Sequence, residues 1–321
     1  MIIQSPFKAA ALMSNRHLQT ILPNIVHPPF PVCRPERLEL EDGDFIDLLH
    51  GQHQTDTPVL ILHGLEGSIH SAYAKRVMNF CNLSGIGAVF MHHRNCSEEP
   101  NRLLRSYHSG ATDDLKRVLT HLKEQSVSKV ALLGYSLGGN IILKYLGEDI
   151  ETNPLVQAAM VVSVPLELGI CSDVLNQGFA RIYQSILLKR LIRKMQYKQA
   201  LLDQTKIDFP DPASMKNFRQ FDHFFTAPVH GFDNAEDYYQ RCSSRQFLKK
   251  INIPTLLIQS SDDPFMNCSV FPEPSELSSS VELELSSKGG HAGFANSYQL
   301  KQTTYVEHRL HQFLNDQNLL A

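Results

Sequence analysis

Gly134-Tyr135-Ser136-Leu137-Gly138 lies between a short, apolar, β-branched run, Ser128–Gly134, and a stretch with helical spacing, Gly139–Gly147. The first run has the length and content of a buried strand, and the second has those of a helix ending on glycine. A strand that turns into a helix over so few residues makes a sharp corner. A serine at its apex is held in a crowded backbone conformation, which glycines two positions before and after it relieve.

The surrounding pattern extends this corner into an α/β chain. Strands are expected at Pro58–His63, Ile86–His92, Leu155–Val164, Ile253–Gln259 and Val281–Leu285. Helices are expected at Ser71–Leu83, at Thr112–Glu124 with Thr112 as N-cap, and at Ser297–Leu314. Strands alternating with helices of about a dozen residues imply a mostly parallel sheet covered on both faces. Ahead of it, Arg37–Leu40 and Phe45–His50 form an antiparallel hairpin around Glu41-Asp42-Gly43-Asp44, and residues 1–36 are expected to be an irregular arm. Residues 166–250 break the rhythm. They combine a basic helical stretch, Ile182–Leu202, with a proline-punctuated region that holds Phe218, Phe221, Phe224 and Phe225. An insertion of this size between two core strands is expected to be a helical cap, with the core formed by 37–165 and 251–321.

A serine is a weak nucleophile unless a base takes its proton and a third group orients that base. Downstream of Ser136, the strand at 253–259 runs into Ser260-Ser261-Asp262-Asp263-Pro264, and the strand at 281–285 is followed by Lys288-Gly289-Gly290-His291-Ala292-Gly293-Phe294. Both loops fall at carboxyl ends of parallel strands, where open α/β sheets gather functional residues. On residue type alone, either Asp262 or Asp263 serves as the acid, and His291 is the candidate base. Acyl chemistry also needs backbone N–H groups aimed at the developing oxyanion. Leu137, the residue after the serine, and Leu65, in the His63-Gly64-Leu65-Glu66-Gly67 loop, are the expected donors.

Composition narrows the alternatives. The formal net charge is −3, no basic stripe or RNA-binding motif is present, and nucleic acid is not an expected partner. Six scattered cysteines without a Cys-x-x-Cys pair suggest reduced thiols in place of a disulfide frame or zinc site. His92 and His93 are adjacent on a strand, so their side chains face opposite ways and do not chelate one metal. No metal or organic cofactor is expected. The N-terminus lacks a signal-peptide pattern and the longest apolar run, Ala158–Pro165, is too short to span a bilayer, so a cytoplasmic location is the default. The basic 189–198 stretch is taken as a solvated cap face, with peripheral contact to an anionic membrane as the alternative. Tyr107-His108-Ser109-Gly110 is taken as a structural turn.

Taken together, these segments resemble the α/β-hydrolase superfamily and, more narrowly, its YheT-like branch, the AB-hydrolase-four family. That branch includes bacterial esterase-like proteins, plant embryogenesis-associated proteins and fungal medium-chain fatty-acid ethyl-ester synthase/esterases. The resemblance is carried by Asn15-Arg-His-Leu-Gln-Thr20, His63-Gly-Leu-Glu-Gly-Ser68, Tyr107-His-Ser-Gly-Ala-Thr-Asp-Asp-Leu115, Gly134-Tyr-Ser-Leu-Gly-Gly-Asn140, Ser261-Asp-Asp-Pro264 and Gly289-Gly-His-Ala-Gly-Phe294. It implies Ser136 as nucleophile, Asp263 as orienting acid and His291 as base. The sequence departs from the family at Asn95, where a glycine usually follows the arginine; asparagine tolerates left-handed geometry less readily than glycine. The implied activity is hydrolysis of short- to medium-chain acyl esters or lipids through an acyl-enzyme. Acyl transfer to an alcohol and an idle binding protein on the same fold are the rival expectations.

Overall fold

In a computed structural model, residues 1–148, 154–205 and 207–320 are described; residues 149–153, 206 and 321, which fall within the expected core and cap ranges, lie outside them. Among the described residues, nine strands form one sheet in the order β1-β9-β8-β7-β6-β4-β5-β3-β2. The strands are β1 (Ile2–Gln4), β2 (Arg34–Glu39), β3 (Phe45–His50), β4 (Val59–Leu62), β5 (Ala88–Met91), β6 (Val130–Tyr135), β7 (Val156–Val162), β8 (Thr255–Ser260) and β9 (Val281–Ser286). From β1 through β5 in that order every pairing is parallel, whereas β3 joins β5 and β2 antiparallel.

The central strands are apolar throughout because both of their faces are covered. Leu60 and Leu62 of β4 pack on the side of α3 (Thr112–Glu124) and α4 (Leu137–Glu148). Val59 and Ile61 pack on the side of α2 (Ala72–Leu83) and the C-terminal helix, Tyr305–Asp316. The period-2 alternation therefore survives inside a run in which every residue is buried.

Several elements depart from the sequence-based expectation. Thr112 is the first residue inside α3 and donates its hydroxyl to Glu148 at 3.1 Å; Ala111 occupies the cap position. The hairpin strand begins at Arg34, and Pro35 is accommodated because β2 is an edge strand that does not need every N–H. The arm is not irregular: β1 pairs with β9, and α1 (Arg16–Ile25) starts at Asn15, whose side chain accepts from the N–H groups of His17 and Leu18. The last helix begins at Tyr305, eight residues after the expected start. Thr304 and Glu307 form a capping box there, with Glu307 accepting from the Thr304 N–H at 2.6 Å.

Between β7 and β8 the chain forms α5 (Leu168–Leu175), α6 (Ala180–Tyr197), α7 (Gln199–Leu202), α8 (Phe218–Phe221), a π-helical turn Asp222–Thr226, α9 (Ala227–His230) and α10 (Ala235–Cys242). The expected single helix 182–202 is thus two, parted at Lys198, whose ammonium turns inward to the Leu103 carbonyl. Phe218, Phe221 and Phe225 form a cluster with Leu188 and Met195 of α6. Among the described residues, no helix is long and apolar enough to cross a membrane.

Candidate active site

Ser136 occupies the corner between β6 and α4 with φ +51°, in the left-handed region. Both flanking glycines are sterically required. A Cβ on Gly134 would lie 2.6 Å from the Gly139 backbone, and one on Gly138 would lie 2.5 Å from the Leu62 carbonyl oxygen. The corner is held by the Ser136 N–H donating to Val162 O at 2.8 Å.

His291 approaches from the loop after β9. Its Nε2 is 3.0 Å from Ser136 Oγ, and its Nδ1 is 2.8 Å from Asp263 Oδ2. Asp263 is buried, and its other oxygen accepts the Phe265 N–H at 2.7 Å. Burial pushes this carboxyl above its usual range, opposed by the adjacent His291. Asp262 has a different position: its Oδ1 accepts the Gly290 N–H at 3.1 Å, so it braces the histidine loop without reaching the ring. The Phe265 ring lies flat on the imidazole, with centroids 3.9 Å apart and planes 7° apart.

The histidine loop is also clamped from the N-terminal arm. Thr20 Oγ1 accepts the His291 N–H at 2.9 Å, and Gln19 bonds Ala295 through both ends of its amide, accepting at 2.7 Å and donating at 3.1 Å. The approach is so close that a Cβ on Gly293 would fall 1.8 Å from the Gln19 carbonyl oxygen. Sequence reasoning does not single out Gln19 and Thr20 as site residues; a buried glutamine on a short helix has no local signature.

Leu65 and Leu137 both line the cleft over Ser136. The amides flanking Leu65 are occupied: Gly64 N–H donates to Tyr73 OH at 3.0 Å and Glu66 N–H to Tyr107 OH at 2.8 Å. Leu65 N–H, between them, has no acceptor among the described residues, and neither does Leu137 N–H at the start of α4. The loop rests on His63, whose Nδ1 bonds Gly64 O at 2.7 Å and whose Nε2 accepts the His93 N–H at 3.1 Å. Burial pushes His92 and His93 down to about 4, so these rings are neutral braces. Among the described residues, no cluster of histidine, cysteine or carboxylate side chains could hold a metal.

The cleft encloses about 1130 Å³, its open mouth included. Leu175, Leu187, Leu191, Phe218, Phe221 and Phe225 give it an apolar wall. Phe224 points away and is 40 % exposed, so it does not belong with the other three phenylalanines among which its sequence position groups it. The turn at 107–110 does more than connect: Tyr107, His108 and Ser109 line the cleft. Asn140 ties this region together, donating to Ser109 O at 2.8 Å and Cys242 O at 2.7 Å. The asparagine is legible in the sequence only as part of a motif.

Residues 57–298 match the family model described as alpha/beta hydrolase fold. The chain is 39% identical over 308 residues to "Putative esterase YheT" of Escherichia coli (strain K12), covering 94% of this chain and 90% of that one. It is 30% identical to "Phospholipase ABHD3" of Bos taurus, covering 92% and 75% of the two chains. Among solved structures, the Pyrococcus furiosus esterase Pf2001 superposes with a TM-score of 0.57 at 14% identity, over 89% of this chain and 92% of the other, a likeness of fold. The chain belongs to the α/β-hydrolase family, in its YheT-like branch.

Proposed function

We propose that the protein is a serine hydrolase of carboxylic esters, acting through an acyl-enzyme on Ser136. The observation that carries this reading is the hydrogen-bonded series Ser136 Oγ, His291 Nε2 at 3.0 Å, and His291 Nδ1 to Asp263 Oδ2 at 2.8 Å. Ser136 Oγ attacks the ester carbonyl as His291 takes its proton; the imidazolium then protonates the departing alcohol. Asp263 holds the tautomer and stabilises the cation on the ring. The N–H groups of Leu65 and Leu137 receive the oxyanion. Water, activated by the same histidine, releases the acid and restores the serine.

Residues 166–250 act as a cap whose inner wall accepts the acyl chain, so the substrates are short- to medium-chain acyl esters or lipids. Relatives named esterase and phospholipase support ester cleavage. The test is a panel of p-nitrophenyl esters from acetate to palmitate. Ser136→Ala should lose on the order of 10⁴- to 10⁶-fold in kcat with the fold intact. Unchanged hydrolysis in that variant would overturn the assignment, and ethyl-ester formation in ethanol would make transfer the better description.

A further inference from the structure

The inner side of α6 lines the cleft through Leu187, Leu191, Lys194 and Met195. Its outer side is unusual for the surface of a chain whose net charge is −3. Arg181, Lys189, Arg190 and Arg193 are all exposed there, and α6 contains no acidic residue. Among the described residues, the helix makes one ion pair, Lys194 to Glu66, on the inner side. The outer cations therefore have no carboxylate holding them. Interleaved with them are apolar side chains facing water: Phe179, Ile182 and Ile186 are 48 %, 50 % and 50 % exposed, and Tyr197 is 76 % exposed. The helical repeat places 182, 186, 190, 193 and 197 along one stripe.

We infer that this outer face of α6 docks the protein on an anionic lipid bilayer, with Phe179, Ile182 and Ile186 entering the interface and the four cations meeting headgroups. The charge selects this occupant. A second copy packed on the same face across a two-fold axis would set like charges against one another. A surface that offers many mobile anions over an apolar layer answers both halves of the stripe. Because the inner side of the same helix walls the cleft, docking on its outer side would set α6 between the bilayer and the cleft. The inference goes beyond ester chemistry, since it concerns binding and is read without turnover.

The test is co-sedimentation of the full chain with vesicles of phosphatidylcholine alone and with vesicles of equimolar phosphatidylcholine and phosphatidylglycerol. Binding is expected on the mixed vesicles and is expected to weaken as salt shortens the screening length. Each removed cation should lower partitioning about fivefold, so Lys189→Gln/Arg190→Gln/Arg193→Gln should lose roughly a hundredfold. Ile182→Ser/Ile186→Ser should remove what binding survives high salt. None of these residues lines the cleft, so cleavage of p-nitrophenyl acetate should persist in all variants and shows that they fold. Ser136→Ala should bind vesicles as the parent does, which separates this inference from the proposed chemistry. Equal binding to both vesicle types, absence of binding, or full binding by the triple variant would overturn it. So would a concentration-dependent dimer that the triple variant abolishes.

Discussion

The Lys194 ammonium on α6 lies 2.8 Å from the carboxylate of Glu66, which stands next to Leu65 in the loop over Ser136. The Glu66 side chain is nearly inaccessible, its backbone takes φ +56°, and the same oxygen also accepts the Tyr107 hydroxyl at 2.8 Å. Helix α6 is thus fastened to the loop that carries the Leu65 N–H. Removing one partner strands a charge out of water, which is the costly way to break such a pair.

Lys194→Met should therefore destabilise the fold by about 3 kcal/mol. It should lower kcat about tenfold with little change in KM, because loop alignment matters most in the transition state. Lys194→Met/Glu66→Gln should recover much of the stability. Denaturant melts with steady-state kinetics on the four proteins of the cycle check this; additive losses would show that the two side chains act independently.

Asp263→Asn should be far more damaging than Asp262→Asn. An amide at 263 disfavours the tautomer that presents Nε2 to the serine and cannot stabilise the imidazolium; the corresponding change in a serine protease triad loses about 10⁴-fold in kcat, and a loss of that order is expected here. At 262 an amide oxygen can still accept the Gly290 N–H. A loss of no more than about tenfold is expected there, and a larger loss at 262 than at 263 would exchange their roles.

The parts of the fold and site that are legible in the sequence follow from local rules. The corner at Ser136, the parallel strands and the two loops carrying Asp263 and His291 are marked by glycine placement and by apolar runs that tertiary packing reinforces. The illegible parts depend on contacts distant in sequence. Gln19 and Thr20 reach a loop more than 270 residues away; they stand in the Asn15–Thr20 motif, but nothing near them in sequence says what they touch. Phe224 shares the apolar character of its neighbours, and that alone groups it with them. The π-helical turn at Asp222–Thr226 follows α8 here and carries Phe224 outward. Asn95 marks the reverse case. It takes φ +63° as a glycine would, and reciprocal bonds with Asn101, 2.5 Å and 3.2 Å, hold it there.

Asp222, on that π-helical turn, should make stability depend on pH. Burial raises its carboxyl from 3.8 to about 6, although Tyr239 and Thr226 hydroxyls both donate to it. The folded chain therefore holds this proton at pH values where the unfolded chain has lost it. Its contribution is favourable below about 4 and is lost as pH rises through about 6. Asp222→Asn should be more stable than the parent at pH 8 by on the order of 2–3 kcal/mol, with the gap closing as pH falls from 6 to 4. Urea melts at about pH 4.5 and about pH 8 would reveal it. A gap that stays constant between them would remove Asp222 as the source.

The apolar wall should set which acyl chain is preferred while Ser136, His291 and Asp263 set whether an ester is cut at all. Phe221 and Phe225 line the cleft and stack on each other with centroids 5.5 Å apart, whereas Phe224 faces solvent. Each acyl CH₂ buried against such a wall gains about 0.8 kcal/mol, roughly fourfold in kcat/KM where the gain is realised in the transition state. Rates should climb stepwise with chain length until the cleft is full. Phe221→Ala and Phe225→Ala should move that optimum toward longer chains and keep acetate cleavage, with Phe→Leu at the same positions as better-packed controls for lost stability. Phe224→Ala should leave the profile where it was. A flat profile in the parent, or equal shifts for all three phenylalanines, would take chain-length selection away from this wall.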